Sequence, residues 1–162
     1  MMVLGSSHDE VTFDDLRTFF SGIPGFKNIS EQDLHDLVAP IVCIVTYEAG
    51  QKIIHIGDPG DTLFLLYRGR VKGEIPTKDG RKNQFFIGSG EIFGEMALVS
   101  QARRSADISA VERCLCLTID IESFRSIMKN HWPIVQAVAG MIGERIIRHT
   151  IQFENQKKTA GV

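Results

Sequence analysis

From Ile41 to Ile119 the apolar residues of this chain come in short runs separated by glycine-rich breaks: I-V-C-I-V-T-Y, K-I-I-H-I, T-L-F-L-L-Y-R, R-V-K-G-E-I, N-Q-F-F-I, A-D-I-S-A-V and R-C-L-C-L-T-I. Runs of this kind, rich in β-branched and aromatic residues and bounded by turn residues, predict strands. Lys78-Asp79-Gly80-Arg81 carries the Asp-Gly signal of a tight hairpin, and Gly57-Asp58-Pro59-Gly60-Asp61 predicts another turn between strands. Many short strands at this spacing predict a sandwich or barrel. Gly73 sits inside one run, which marks either a bulge or the close approach of another segment.

Helical patterning flanks this region. Thr12 to Phe20 predicts a short helix with Asp14 and Asp15 favourable in its first turn. A second begins at Ser30 as N-cap, with Asp33 three residues on and Leu34, Leu37 and Val38 as its apolar face. Asp120 caps a helix to about Met128, and Pro133 opens a final helix to about residue 155. Residues 1–11 and 156–162 are expected as flexible tails around one domain, 12–155. In the last helix Ile134, Val138, Met141, Ile142, Arg145 and His149 share one stripe, apolar at its start and basic at its end. Glu144 and Arg148, four apart, are expected to pair on the outer side. Ile147 and Ile151 also face outward, to meet a partner, a second copy, or only water.

Composition narrows the classes. The chain has 162 residues, 43% hydrophobic and 23% charged, with a net charge of −2. That balance argues against a general nucleic-acid binder, and no apolar run approaches the ~18 residues of a membrane span. The N-terminal M-M-V-L-G-S-S-H-D-E does not read as a secretory signal. Cys114 and Cys116, two apart, fall on one strand face as small core residues. With Cys43 they fit a reducing, cytoplasmic setting. No metal or cofactor is expected. His55 alone among histidines lies in the strand region, too few ligands for a metal-dependent enzyme on such a roll. The aspartates of the 57–61 turn are too few for calcium.

The candidate chemistry lies in F-G-E-M-A-L-V-S-Q-A-R-R-S-A, residues 93–106. Gly94 permits a close backbone turn. A helical turn over Met96, Ala97, Leu98 and Val99 would leave unpaired N–H groups at its start, suited to an anion. Arg104 adds a planar donor fork matched to phosphate oxygens. Ser105 offers a backbone N–H and a hydroxyl. Arg103 reads as a solvated charge, and Glu95 cannot serve the same anion.

These residues, with G-D-P-G-D at 57–61 and R-G-R-V at 68–71, resemble the cyclic nucleotide-binding domain family over roughly residues 19–153. The resemblance implies a mainly β fold with flanking helices: an eight-stranded antiparallel β-roll with N-terminal helices and a C-terminal helical lid. It implies phosphate contacts from Gly94, Met96, Ala97, Arg104 and Ser105, and a ribose 2′-hydroxyl contact from Glu95. Val71, Ile87 and Ala106 either line the base and sugar pocket or pack in the core. Arg145, Ile146 and His149 are the lid candidates, a flat guanidinium or imidazole stacking on a purine.

Two departures bear on the site. Arg103 stands where the family often has proline. Asp107 follows Ser-Ala, and strand alternation would place it on the face of Ser105, where a carboxylate opposes an anion. The function implied is a non-enzymatic regulatory sensor of a cyclic nucleotide, cAMP or else cGMP, moving a hinge near residues 120–131 and the final helix. Its output would pass to an effector protein, with a homodimer open. The alternative is a module of the same fold kept only as a docking surface.

Overall fold

The computed structural model describes residues 3–4, 11–96 and 103–159. Strand β1 (Val3–Leu4) pairs with β2 (Val11–Thr12), where the sequence pattern predicts only a tail. Helix α1 (Phe13–Ser21) starts at a capping box. The Thr12 hydroxyl accepts from the Asp15 N–H at 3.2 Å, and the Asp15 carboxylate accepts from the Thr12 N–H at 2.9 Å. Leu16 and Phe20 turn into the core.

Ser30 caps the next element as expected, accepting from the Asp33 N–H at 3.0 Å. The helix does not stay regular. After α2 (Glu31–Asp33) the backbone widens into a π turn over Leu34–Val38 and tightens into a 3₁₀ turn over Ala39–Ile41. Pro40 has no N–H to give and its ring would strike the carbonyl four residues back, so an α-helix cannot run through it. Leu34 and Val38 are still buried.

Eight strands form the roll: β3 (Val42–Tyr47), β4 (Lys52–Ile54), β5 (Thr62–Arg68), β6 (Val71–Pro76), β7 (Lys82–Ile87), β8 (Ile92–Phe93), β9 (Asp107–Ala110) and β10 (Cys114–Asp120). They make two antiparallel four-stranded sheets, ordered β3-β10-β5-β8 and β4-β9-β6-β7. Seven of these strands lie on the runs read from the sequence. The eighth, β8, has two residues and no periodicity to reveal it.

Gly73 marks a close approach. The β6–β7 register runs unbroken from Val71 to Pro76. A Cβ on Gly73 would stand 2.0 Å from the Phe85 ring, so the ring lies directly over the glycine.

The core has two layers because β5 and β10 are apolar on both faces. Phe64, Leu66, Cys114 and Cys116 point into the roll with Val71, Phe85, Ile87 and Phe93. Leu63, Leu65, Leu115 and Leu117 point the other way, onto Leu16, Phe20, Phe124, Ile134 and Val138 of the helices. Each such fully buried side chain contributes about 1.5–3 kcal/mol. Cys114 and Cys116 share a face as predicted, and burial pushes the Cys116 thiol up to about 12.

Helix α3 (Ile121–Met128) starts where the Asp120 carboxylate accepts from the Ser123 N–H at 2.9 Å. Helix α4 (Trp132–Thr159) carries Pro133 in its first turn and continues past the predicted end. At the junction His131 Nε2 meets Asp33 Oδ2 at 3.1 Å, tying the hinge to the N-terminal helices. Ile134, Ala137 and Val138 anchor the first half of α4. Gly25 allows this, since a Cβ there would stand 2.6 Å from Ala137 Cα. The second half crosses the mouth of the roll. No described helix is long and apolar enough to cross a membrane.

Candidate functional site

The site is built on the turn after β8. Ile92 and Phe93 pair with Leu65 and Phe64 of β5, and the Phe64 and Phe93 rings stack at 4.8 Å. The chain then turns at Gly94 with φ +77, a conformation that favours glycine. A Cβ there would also stand 2.6 Å from Arg104 Nη1. The glycine therefore serves the turn and gives the guanidinium its place.

Arg104 is half-buried. Its Nη1 donates to the Gly94 carbonyl at 3.0 Å and its Nη2 to the Thr62 carbonyl at 2.7 Å. Its backbone is laced to the 57–61 turn, N–H to the Asp58 carbonyl and carbonyl to the Gly57 N–H, each 2.8 Å. Burial lowers its pKa, while the charges of Asp61 and Asp58 act to raise it. A guanidinium has five N–H donors, and two of these are held by backbone carbonyls among the described residues. Arg103 is exposed and reaches the Gly57 carbonyl at 2.9 Å. Ser105 is exposed at the cavity rim, and Ala106 is buried beside it.

Asp107 is not where alternation would put it. Its carboxylate accepts from the Ile56 N–H at 2.8 Å and from Lys52 Nζ at 3.1 Å, and it lines no part of the cavity. Those two bonds hold its pKa below the usual range. Strand alternation fails because β9 begins at Asp107 and Ser105 lies in the loop before it.

Glu95 is 2% exposed. Its Oε1 accepts from Nη2 of Arg145, which reaches down from α4, while Arg145 Nη1 donates to the Ile92 carbonyl at 3.0 Å. Burial presses the Arg145 pKa down to about 10, with Glu91 opposing the fall. Glu95 Oε2, Arg145 Nε and His149 Nε2 are buried without a hydrogen-bond partner among the described residues. His149 lies against Phe85, ring centroids 4.3 Å apart. Its pKa is lowered to about 4, first by burial and then by Arg145 and Arg148.

These groups surround one cavity. Ile54, Phe85, Phe93 and Ile108 form its apolar wall, Gly94, Glu95 and Met96 one rim, Arg103 to Ala106 the other, and Arg145 the roof. The enclosed space is about 50 Å³. Met96 is 48% exposed at the edge. Ala97, a phosphate candidate, and Leu98 and Val99 of the expected apolar turn lie outside the described residues.

Val71 and Ile87 are fully buried in the roll and absent from the cavity wall, so of the pocket-or-core candidates only Ala106 lines it. Ile146 is 57% exposed and turned away. Arg148 pairs with Glu91 at 2.6 Å, not with Glu144, because the β7–β8 connection brings Glu91 under the helix. The Arg145–Glu95 contact joins residues fifty apart and had no local signal. Phe85 had one: the glycine opposite it. Among the described residues no cluster of three or more His, Cys, Asp or Glu is placed to hold a metal.

The sequence matches the family described as cyclic nucleotide-binding domain over residues 44–131, more than half of the chain. The chain belongs to that family, whose domains are regulatory binding modules. It is 35% identical over 150 residues to cGMP-dependent protein kinase 2 of Mus musculus, covering 91% of this chain and 19% of the kinase. The chain spans 11–19% of the length of the cGMP-dependent kinases it matches. In fold it is similar to the Thermus thermophilus catabolite activator protein, with TM-score 0.68 and 24% identity over 83% of this chain and 63% of that one. It is likewise similar to the regulatory subunit of a cAMP-independent protein kinase A from Trypanosoma brucei. That match has TM-score 0.70 and 19% identity over 91% of this chain and 51% of that one.

Proposed function

We propose that this domain is a cyclic nucleotide sensor that prefers cAMP to cGMP and signals through α4. One observation carries the reading. A single cavity sets a half-buried guanidinium, Arg104, and Ser105 on one side, and a wholly buried carboxylate with an unpartnered oxygen, Glu95, on another. That is the complement of a phosphate joined to a hydroxylated sugar. The Gly94 turn, Arg104 and Ser105 hold the phosphate, Glu95 the ribose hydroxyl, and Phe85 with the lid residues the base.

The cavity is far smaller than the ~300–1,000 Å³ of small-molecule sites. A nucleotide therefore enters as α4 lifts, and binding shifts the helix between settings. The roles assigned here are those of binding and not of catalysis, and the moving helix would address an effector protein inside the cell.

The preference rests on Ser105. The family resemblance associates a threonine at this position with cGMP. The serine hydroxyl lacks the methyl that fixes a threonine rotamer and turns to the charged phosphate. The names of the kinase relatives favour the second reading, a cGMP sensor. Competition of the two nucleotides on the wild type and on Ser105→Thr decides between them. The expected result is cAMP tighter by about tenfold, ~1.4 kcal/mol, with the difference narrowed or inverted by threonine. Tighter wild-type binding of cGMP establishes the second reading, and binding of neither leaves only a docking module.

A further inference from the structure

Arg145 lines two cavities. The first is the candidate nucleotide site. The second, about 220 Å³, lies between residues 22–25 after α1, residues 89–91 between β7 and β8, and one face of α4. That is room for about seven waters at ~30 Å³ each, enough for a small solute and too little for a nucleotide. Ile23, Pro24 and Met141 make its apolar part. Gly140 on α4 leaves it open, since a Cβ there would meet nothing within 4 Å.

The charges of this cavity have both signs and are unevenly satisfied. Glu91 is already engaged: Oε1 accepts from Arg148 at 2.6 Å and Oε2 from the Gly88 N–H at 2.5 Å. The Ser89 hydroxyl donates to the Tyr67 carbonyl at 2.7 Å. Two groups are left over among the described residues. Arg145 Nε is a buried donor without an acceptor, which is costly inside a protein. Glu144 is an exposed carboxylate at the rim that makes no ion pair or hydrogen bond there. An anion alone would meet Glu91 and Glu144, and a cation alone would meet Arg145 and Arg148. A ligand that carries both charges a few bonds apart answers both, and an α-amino acid is a small solute of that kind.

We propose that this cavity is a second binding site, for a free α-amino acid with an apolar side chain of about leucine's size. Its ammonium is held by Glu144, its carboxylate by the edge of Arg145 and by Arg148, and its side chain by Ile23, Pro24 and Met141. The site goes beyond the nucleotide reading and does not depend on it.

The test titrates the whole chain calorimetrically with L-leucine and with its two single-charge analogues, isoamylamine and isocaproate, on wild type, Glu144→Gln and Gly140→Leu. Both substitutions lie on the exposed side of α4 outside the nucleotide cavity and introduce good helix formers, so both variants should fold, and a thermal melt records it. Leucine should bind the wild type saturably in the millimolar range or tighter, and each analogue at least about tenfold more weakly. Glu144→Gln should weaken leucine by about tenfold, and Gly140→Leu, whose side chain fills the cavity, should abolish its binding. No saturable binding of leucine, an analogue that binds as well as leucine, or unchanged leucine binding on either variant overturns the proposal. None of these outcomes touches the nucleotide reading, which a parallel titration of the wild type with cAMP and cGMP tests by itself.

Discussion

Arg103 and Arg104 are neighbours in sequence with different physical situations. Arg104 is held by two backbone carbonyls inside the cavity wall, whereas Arg103 lies exposed on the 57–61 turn. Arg104→Ala should weaken nucleotide binding by roughly 2–4 kcal/mol, the scale for losing one partner of a buried charge pair, and Arg103→Ala by much less. Titration of the two variants checks this, and equal losses would place the phosphate elsewhere. Gly94→Ala should act on stability and binding together. An L side chain at its positive φ costs about 1–2 kcal/mol, and the new Cβ pushes Arg104 from its seat. A thermal melt alongside a titration should show both losses. The glycine, the guanidinium and the carboxylate of this corner were legible in the sequence because their types are chemically demanding. The seat of Asp107 was not, because alternation holds only within a strand and β9 starts two residues after Ser105.

Helix α4 has two halves. Ile134, Ala137 and Val138 are packed on the core, while Arg145 and His149 cover the cavity. Between them sit Gly140 and Gly143, and a Cβ at either would meet nothing within 4 Å. Alanine at each should stabilise the helix by about 1 kcal/mol and couple the halves more stiffly, read as slower amide exchange over residues 144–153. The lid should also respond to acid. Shut, it holds His149 near pKa 4; lifted into water, the ring returns to its ordinary 6.5. The open state then binds a proton that the closed state refuses. Closure is fully favoured above about pH 6.5 and is lost progressively as pH falls toward 4. The cations facing the ring are Arg145 and Arg148, and the nearby carboxylates Glu95 and Glu91 are each held by one of these arginines. Lid amide exchange, corrected for intrinsic rates, should be faster at about pH 5.5 than at about pH 7.5, and His149→Phe should remove the difference. The apolar stripe of this helix could be read from its period. Its landing place could not, since fold topology and not spacing brings Glu91 and Glu95 beneath it.

For the molecule as a whole, a nucleotide that binds only the folded state raises stability by mass action. At ~100 times its Kd it contributes ~2.7 kcal/mol, which for a chain of this size is a rise in Tm of roughly 5–11 °C. A thermal shift with cAMP, absent with AMP, checks this. The architecture itself was largely legible. Glycine-punctuated runs mark seven of the eight roll strands, and the two-sided apolar character of T-L-F-L-L-Y-R and R-C-L-C-L-T-I explains why β5 and β10 lie between two core layers. What escaped were elements too short or too irregular for a period: β8 and the π turn ahead of Pro40.

The buried pair of Glu95 and Arg145 also bears on where this chain can be cut. A fragment stopped at the hinge, after His131, would keep every strand of the roll. It would nevertheless strand a carboxylate that is 2% exposed in the intact chain and strip away the apolar cover of Ile134, Ala137 and Val138. Refolded alone, the roll should be poorly soluble, and a trimmed version intended for ligand screening would report on a different molecule.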